Sequence, residues 1–224
     1  MDLMEEMEIL YRGAYKASDL KPSLNPYQRA SALSKSKELA LASVKLNLDL
    51  LPQDDNLYPF YQKNPLFWII PIELIDGQVI EFLLRGYKSK DFYRVCPTGT
   101  PALFGWTEFD FYEGETIILT EGYKDGVVLK QGYPFVLSAL TVMPTKSWIG
   151  LLAKIAKALI IATDRDGPGE KVFDTVRSNP DCLGKPVFRL RPPGHDFGEL
   201  LDNTKNIDQL VYSFLKPLKS VLNV

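Results

Sequence analysis

Two stretches of this sequence share one grammar, and that grammar limits the folds open to the chain. Leu159-Ile160-Ile161-Ala162-Thr163 is an apolar, β-prone run that ends in Asp164-Arg165-Asp166, then Gly167-Pro168-Gly169, then a helical pattern. Glu115-Thr116-Ile117-Ile118-Leu119-Thr120 likewise ends in Glu121-Gly122 and a helix start. Short apolar runs bounded by turn residues read as buried strands. Strands that alternate with helices read as βαβ units around a mainly parallel sheet. In such a sheet the functional crevice lies beyond the carboxyl ends of the strands, and both runs deliver acids there.

Side chains two apart on an extended segment point the same way, so Asp164 and Asp166 present two carboxylates at one spot. Carboxylates placed together repel unless a cation lies between them, and oxygen donors of this kind suit Mg²⁺ or Mn²⁺. A turn explains Asp166-Gly167, but not a second acid at the end of a buried strand. Glu121 can serve as a metal ligand or as a general base. Asp125 is a further candidate ligand, or simply an acid that complements its helix dipole. Gly167 and Gly169 allow the backbone to approach phosphates at a helix start. Downstream, Pro192-Pro193-Gly194 leads to His195 and Asp196, the latter a good helix cap that is also compatible with a site role. Arg189, Arg191 and His195 lie near enough in sequence to meet phosphates. Together these residues point to metal-assisted phosphoryl transfer.

The chain has 224 residues, 46% of them hydrophobic, enough to bury a substantial core in one large domain or two small ones. Its net charge of −2 argues against a protein that coats nucleic acid by bulk charge. A local basic groove remains open to it. Arg85, Lys88, Lys90 and Arg94 interleave with Tyr87, Phe92 and Tyr93, as either a solvated strand edge or a surface for phosphates and bases. Lys124, Arg165 and Lys171 flank the acids as further candidates for nucleotide or DNA binding. Two separated cysteines, Cys96 and Cys182, and the single His195 supply no zinc ribbon, so no zinc is expected. No signal-like start and no apolar run of about 18 residues are present, so a cytoplasmic chain away from membranes is expected.

The periodicity predicts helices over 2–18 and 27–50, a loop over 52–65, and a hairpin of 66–74 with 79–86 about Asp76-Gly77. Strands at 115–121, 135–140, 158–163 and 185–190 then alternate with helices at 124–131, 146–157 and 169–178. A helix over 207–222 closes the chain.

These motifs resemble the Toprim domain shared by topoisomerases and bacterial-type primases. That family pairs a glutamate-glycine motif after its first strand with Asp-x-Asp after a later one, matched here by Glu121-Gly122 and Asp164-Arg165-Asp166. The likeness is greater to the DnaG-like primases. They extend the first motif to glutamate-glycine-tyrosine-x-aspartate, as in Glu121-Gly122-Tyr123-Lys124-Asp125. They also carry an aspartate in a proline-glycine context, as in Pro193-Gly194-His195-Asp196. Leu103-Phe104-Gly105 resembles the segment that joins their basic subdomain to the Toprim fold. The resemblance covers about 66–202.

It implies an N-terminal helical segment (1–52), a small basic β-rich subdomain (53–112), a Rossmann-like Toprim domain (113–204) and a C-terminal helix (205–224). It further implies a reduced, phage- or plasmid-type primase core that makes short RNA primers. Glu121, Asp164 and Asp166 would be catalytic and bind Mg²⁺ or Mn²⁺. The implied partners are single-stranded DNA, ribonucleoside triphosphates, and a replicative helicase or a separate zinc-binding subunit. A Toprim nuclease and a non-catalytic replication module are the alternatives. One departure stands out. Where primases often show a glycine-threonine turn after the second strand, this chain has Leu140-Thr141.

Overall fold

A computed structural model describes residues 3–13, 15–16, 40–43, 57–73, 79–87, 89, 91–95, 103–104, 113–130, 132–140, 146–197 and 216. They form two sheets. The first is antiparallel, in the order β1 (Tyr15–Lys16), β2 (Ala40–Ser43), β3 (Leu66–Glu73), β4 (Val79–Gly86), β5 (Phe92–Val95). The second is parallel, in the order β7 (Val136–Ser138), β6 (Thr116–Thr120), β8 (Ala158–Ala162), β9 (Val187–Arg189). Helices α1 (Leu3–Gly13) and α2 (Tyr58–Lys63) accompany the first sheet. Helices α3 (Tyr123–Lys130), α4 (Lys146–Ile155) and α5 (Gly167–Arg177) accompany the second.

The parallel sheet is covered on both faces, which explains why all of Thr116–Thr120 and Ala158–Ala162 are buried. Alternation along β6 divides the two cores. Ile117 and Leu119 join Trp148, Ile149 and Leu152 of α4 and Val172 and Val176 of α5. Ile118 joins Val128 and Leu129 of α3, with Ile160 from β8. Tyr133 closes this second core and donates a hydrogen bond of 2.7 Å to the Thr116 carbonyl.

In the antiparallel sheet, Phe67, Ile69, Phe82, Leu84 and Val95 pack against Met7 and Leu10 of α1 and Phe60 and Tyr61 of α2. The opposite face offers Trp68, Ile70 and Ile72 to Tyr123 and Val127 of α3. Helix α3 therefore serves both sheets, and a helix with apolar partners on several sides is buried rather than amphipathic. Gly126 makes the close fit possible, since a Cβ there would meet Ser138 Oγ at 2.1 Å.

The predicted hairpin is observed, with β3 and β4 paired from Phe67↔Gly86 to Glu73↔Val79. Its turn, Asp76-Gly77, lies outside the described residues. Three expectations change. Tyr15 and Lys16, placed in the helix over 2–18, form β1 and pair with β2 as Tyr15↔Leu41 and Lys16↔Ala40. Residues 40–43, placed in a helix by their spacing, form β2 and pair with β3 as Ala40↔Ile69 and Ser43↔Leu66. Pairing with a distant strand overrides local helical preference there. Within the expected loop 52–65, Pro59 occupies the first turn of α2, where its missing N–H costs nothing. The rest of the predicted helix 27–50 lies outside the described residues, as does helix 207–222 apart from Lys216. Among the described residues, no helix is long and apolar enough to cross a membrane.

Candidate metal centre

Strand order decides where the acids go. The chain leaves β6 for β7 on one side and leaves β8 for β9 on the other, while β6 and β8 are neighbours paired through Thr120↔Ala162. The crevice beyond two such strands is the usual ligand position of an open parallel sheet. Glu121 follows β6 directly, and Asp164 and Asp166 follow β8.

Local hydrogen bonds hold this end of the sheet. Asp166 caps α5 from extended backbone, its Oδ1 accepting from the Gly169 amide at 2.7 Å. The cap and the site are compatible, because a carboxylate has a second oxygen. Thr163 Oγ1 donates to the Gly169 carbonyl at 2.9 Å. Gly169 has no room for a side chain, since a Cβ would lie 2.1 Å from the Asp164 carbonyl oxygen. On the neighbouring strand, Thr120 Oγ1 contacts Ser138 Oγ at 2.8 Å and donates to the Gly122 carbonyl at 3.1 Å, steadying the turn that carries Glu121.

Asp164, Asp166 and His195 each place one ligand atom within 4.8 Å of the others. His195 Nδ1 stands 3.7 Å from Asp164 Oδ2. Its loop is tied to the aspartate turn by the Arg165 amide, which donates to the His195 carbonyl at 3.0 Å. Glu121 is outside this trio but within its field. Burial pushes the Glu121 carboxyl above its ordinary value, Asp164 and Asp166 push it further, and His195 opposes them. Asp164 is also raised, first by burial, then by Asp196, with Asp166 adding and His195 and Arg189 opposing. Burial and neighbouring carboxylates thus disfavour the charged forms of Glu121 and Asp164 at one place, which a divalent cation would relieve.

Asp125 is buried in the first turn of α3, close enough to Gly122 that a Cβ there would meet its Oδ2 at 3.0 Å. It does not join the trio. Lys124, Arg165 and Lys171 are exposed around the acids. Arg85, on β4, is near enough to the α3 start to act on Tyr123. Arg94 is committed elsewhere, its Nη2 donating to Glu81 Oε2 at 2.9 Å. Lys88 and Lys90 lie outside the described residues.

Arg189 emerges in a role that its sequence position hides. Its side chain is only 5% exposed, and its Nη1 donates to the carbonyls of Ile161 and Thr163 at 3.0 Å and Leu190 at 2.9 Å. Its Nη2 reaches the Asp164 carbonyl at 2.8 Å and Glu170 at 3.3 Å. It fastens the end of β8 rather than presenting a charge to phosphate. Arg191, also read as a phosphate contact, pairs with Glu170 through two bonds of 3.0 Å. Leu140 shows what became of the missing glycine-threonine turn. It holds a left-handed φ of 57° despite its side chain, at a cost of about 1 kcal/mol.

No family model matches the sequence, and neither does any curated protein. Solved structures do match. The DnaG catalytic core is matched at TM-score 0.63 and 16% identity, over 96% of this chain and 80% of that one. The zinc-binding and RNA polymerase domains of the Aquifex aeolicus primase match at TM-score 0.62 and 22% identity, over 100% of this chain. A DnaG primase catalytic domain bound to single-stranded DNA matches at TM-score 0.60 and 19% identity, over 98% of this chain and 79% of its own.

This is the fold of a primase catalytic core. The chain spans 63% of the Aquifex chain, so the likeness concerns the core rather than every domain of that protein. At these identities it carries the architecture and leaves the chemistry to be argued from the residues.

Proposed function

We infer that the chain is a primase-type nucleotidyltransferase core that joins ribonucleotides on single-stranded DNA. One observation carries this reading: within a primase-core fold, Glu121, Asp164 and Asp166 lie beyond the ends of two adjacent parallel strands, the aspartates adding to the rise that burial causes in Glu121's pKa. The matched catalytic domain bound to single-stranded DNA supports the choice of template.

The donor set fits a divalent cation, with two carboxylates and an imidazole converging. Asp164, Asp166 and His195 would hold the ion, with Glu121 beside it. When bound, such an ion supplies charge stabilisation for phosphoryl transfer. The chain's own groups do the rest. Glu121, with its raised pKa, is suited to take the proton of an attacking 3′-hydroxyl. The exposed Lys124, Arg165 and Lys171 steer phosphates toward the acids. Arg85 extends that positive field onto the antiparallel sheet, and Lys88 and Lys90 stay candidates for phosphate contact by sequence alone. Residues 113–204 correspond in this reading to a Toprim unit working in the cytoplasm with a helicase or a separate zinc-binding subunit.

The test is direct. The protein is incubated with single-stranded template, ribonucleoside triphosphates and Mg²⁺ or Mn²⁺, alone and with helicase or zinc-domain partners. Short RNA products that vanish with Asp164→Asn support the reading. Metal-dependent strand cleavage without triphosphates would replace it with a nuclease. Biological activity that survives loss of both aspartates would replace it with a non-catalytic replication module.

A further inference from the structure

In sequence His195 is a lone histidine beside a capping aspartate. The structure places it differently. Its Nδ1 belongs to the trio with Asp164 and Asp166. The 3.7 Å to Asp164 Oδ2 is too long for a hydrogen bond. It suits two donors sharing one ion, since ligands at about 2.1 Å from a metal stand roughly 3 to 4 Å apart. The imidazole side chain is 60% exposed, so an ion can reach it from solvent. The Arg165 amide, between the two aspartates, donates to the His195 carbonyl at 3.0 Å. The histidine loop is thereby fastened to the aspartate turn.

We propose that His195 is a direct nitrogen ligand of this centre and biases it toward divalent transition ions over Mg²⁺. The inference rests on reading Asp164 and Asp166 as metal ligands. The physical reason is ligand softness. Mg²⁺ takes oxygen donors almost alone and parts reluctantly with water, whereas an imidazole nitrogen binds first-row transition ions well. A carboxylate pair alone would be nearly indifferent between Mg²⁺ and Mn²⁺. Adding one imidazole lowers the free energy of the transition-metal complex without a matching gain for Mg²⁺.

The chain contains a single histidine, which makes the experiment unambiguous. Untagged full-length protein is loaded with Mn²⁺ and measured by electron spin-echo envelope modulation. The expected result is a nitrogen coupling typical of a coordinated imidazole, absent from His195→Gln. Mn²⁺ affinity should fall about tenfold in that variant, while Mg²⁺ affinity measured by competition stays nearly constant. Mn²⁺ bound without nitrogen coupling in the unsubstituted protein would overturn the proposal, as would failure to bind Mn²⁺ or an unchanged Mn²⁺/Mg²⁺ ratio. The spectroscopic result is independent of catalysis. Nitrogen coupling without primer synthesis sinks the proposed function and keeps the ligand. Primer synthesis without nitrogen coupling does the reverse.

Discussion

Glu81 and Asp164 are both carboxylates withdrawn from water, and the fold treats them in opposite ways. Glu81 has only 1% of its side chain exposed and is held by the Arg94 guanidinium on the neighbouring strand. Burial raises the Asp164 pKa, and like-charged Asp196 and Asp166 raise it further. Arg189 reaches the same residue, yet it bonds the Asp164 carbonyl at 2.8 Å. A buried acid given its own cation is part of the scaffold. Acids gathered so that burial and like charge outweigh the opposing His195 and Arg189 store repulsion that an ion held there would relieve.

The largest effect should come from removing an acid at the unneutralised centre. Asp164→Asn is expected to reduce nucleotide transfer by about a hundredfold to a thousandfold, the usual cost of losing a preorganised electrostatic contact. The same variant should melt at a higher temperature than the parent in the absence of metal, because one member of a repelling group is gone. Calorimetry in chelator checks the second half. A lower melting temperature would put Asp164 in the same class as Glu81 and erase the contrast.

Gly169→Ala attacks the same centre through its backbone. The new Cβ would sit 2.1 Å from the Asp164 carbonyl oxygen, so the start of α5 or the aspartate turn must move. A destabilisation of about 1 to 3 kcal/mol is expected from overpacking, with weaker metal binding because both ligands ride on that turn. Denaturant titration and Mn²⁺ titration read the two effects separately. Loss of stability with unchanged metal affinity would mean that the turn absorbs the strain away from the carboxylates.

Arg94→Ala tests the neutralised partner. Glu81 would be left buried without its main cation, at a cost of about 2 kcal/mol, toward the low end for broken pairs because Arg94 is half-exposed. Replacing both residues by leucine should recover most of it. Arg94 also belongs to the basic stretch read as a nucleic-acid surface, and the two roles separate cleanly. A drop in template affinity at unchanged melting temperature would make Arg94 a binding residue first.

How far these differences could be read in advance depended on whether they were local. The strand, acid, glycine, helix order around Glu121 and Asp164 lies within a dozen residues, and periodicity exposes it directly. The hairpin of β3 and β4 was equally legible, for the same reason. Strand β2 was not, because Ala40-Leu41-Ala42-Ser43 acquires its conformation from β3, more than twenty residues later. Arg189 was misread as a phosphate contact because its partners Ile161, Thr163 and Asp164 lie far back in the chain. Charge alone does not announce that a guanidinium will bind carbonyls. Leu140 is a different failure. Its left-handed backbone is one that residue type argues against, so only the surrounding structure could reveal it.

Glu170 supplies the smallest and most diagnostic comparison, an acid that is neutralised yet sits beside the unneutralised centre. It accepts from Arg191 and from Arg189, and those contacts hold its pKa below the ordinary glutamate value of 4.5, the Arg191 hydrogen bonds contributing most. A depressed carboxyl adds stability that is present above the unfolded-state pKa and is lost as pH falls through the folded value. Glu170→Gln should therefore lower the melting temperature slightly near neutral pH, less than Arg94→Ala does, with the difference vanishing in acid and shrinking in salt. Because Arg189 keeps its carbonyl bonds without Glu170, Mn²⁺ affinity should be unchanged. If it falls instead, the Glu170–Arg189 contact is part of what positions Asp164, and the boundary between scaffold acids and site acids runs through α5 rather than before it.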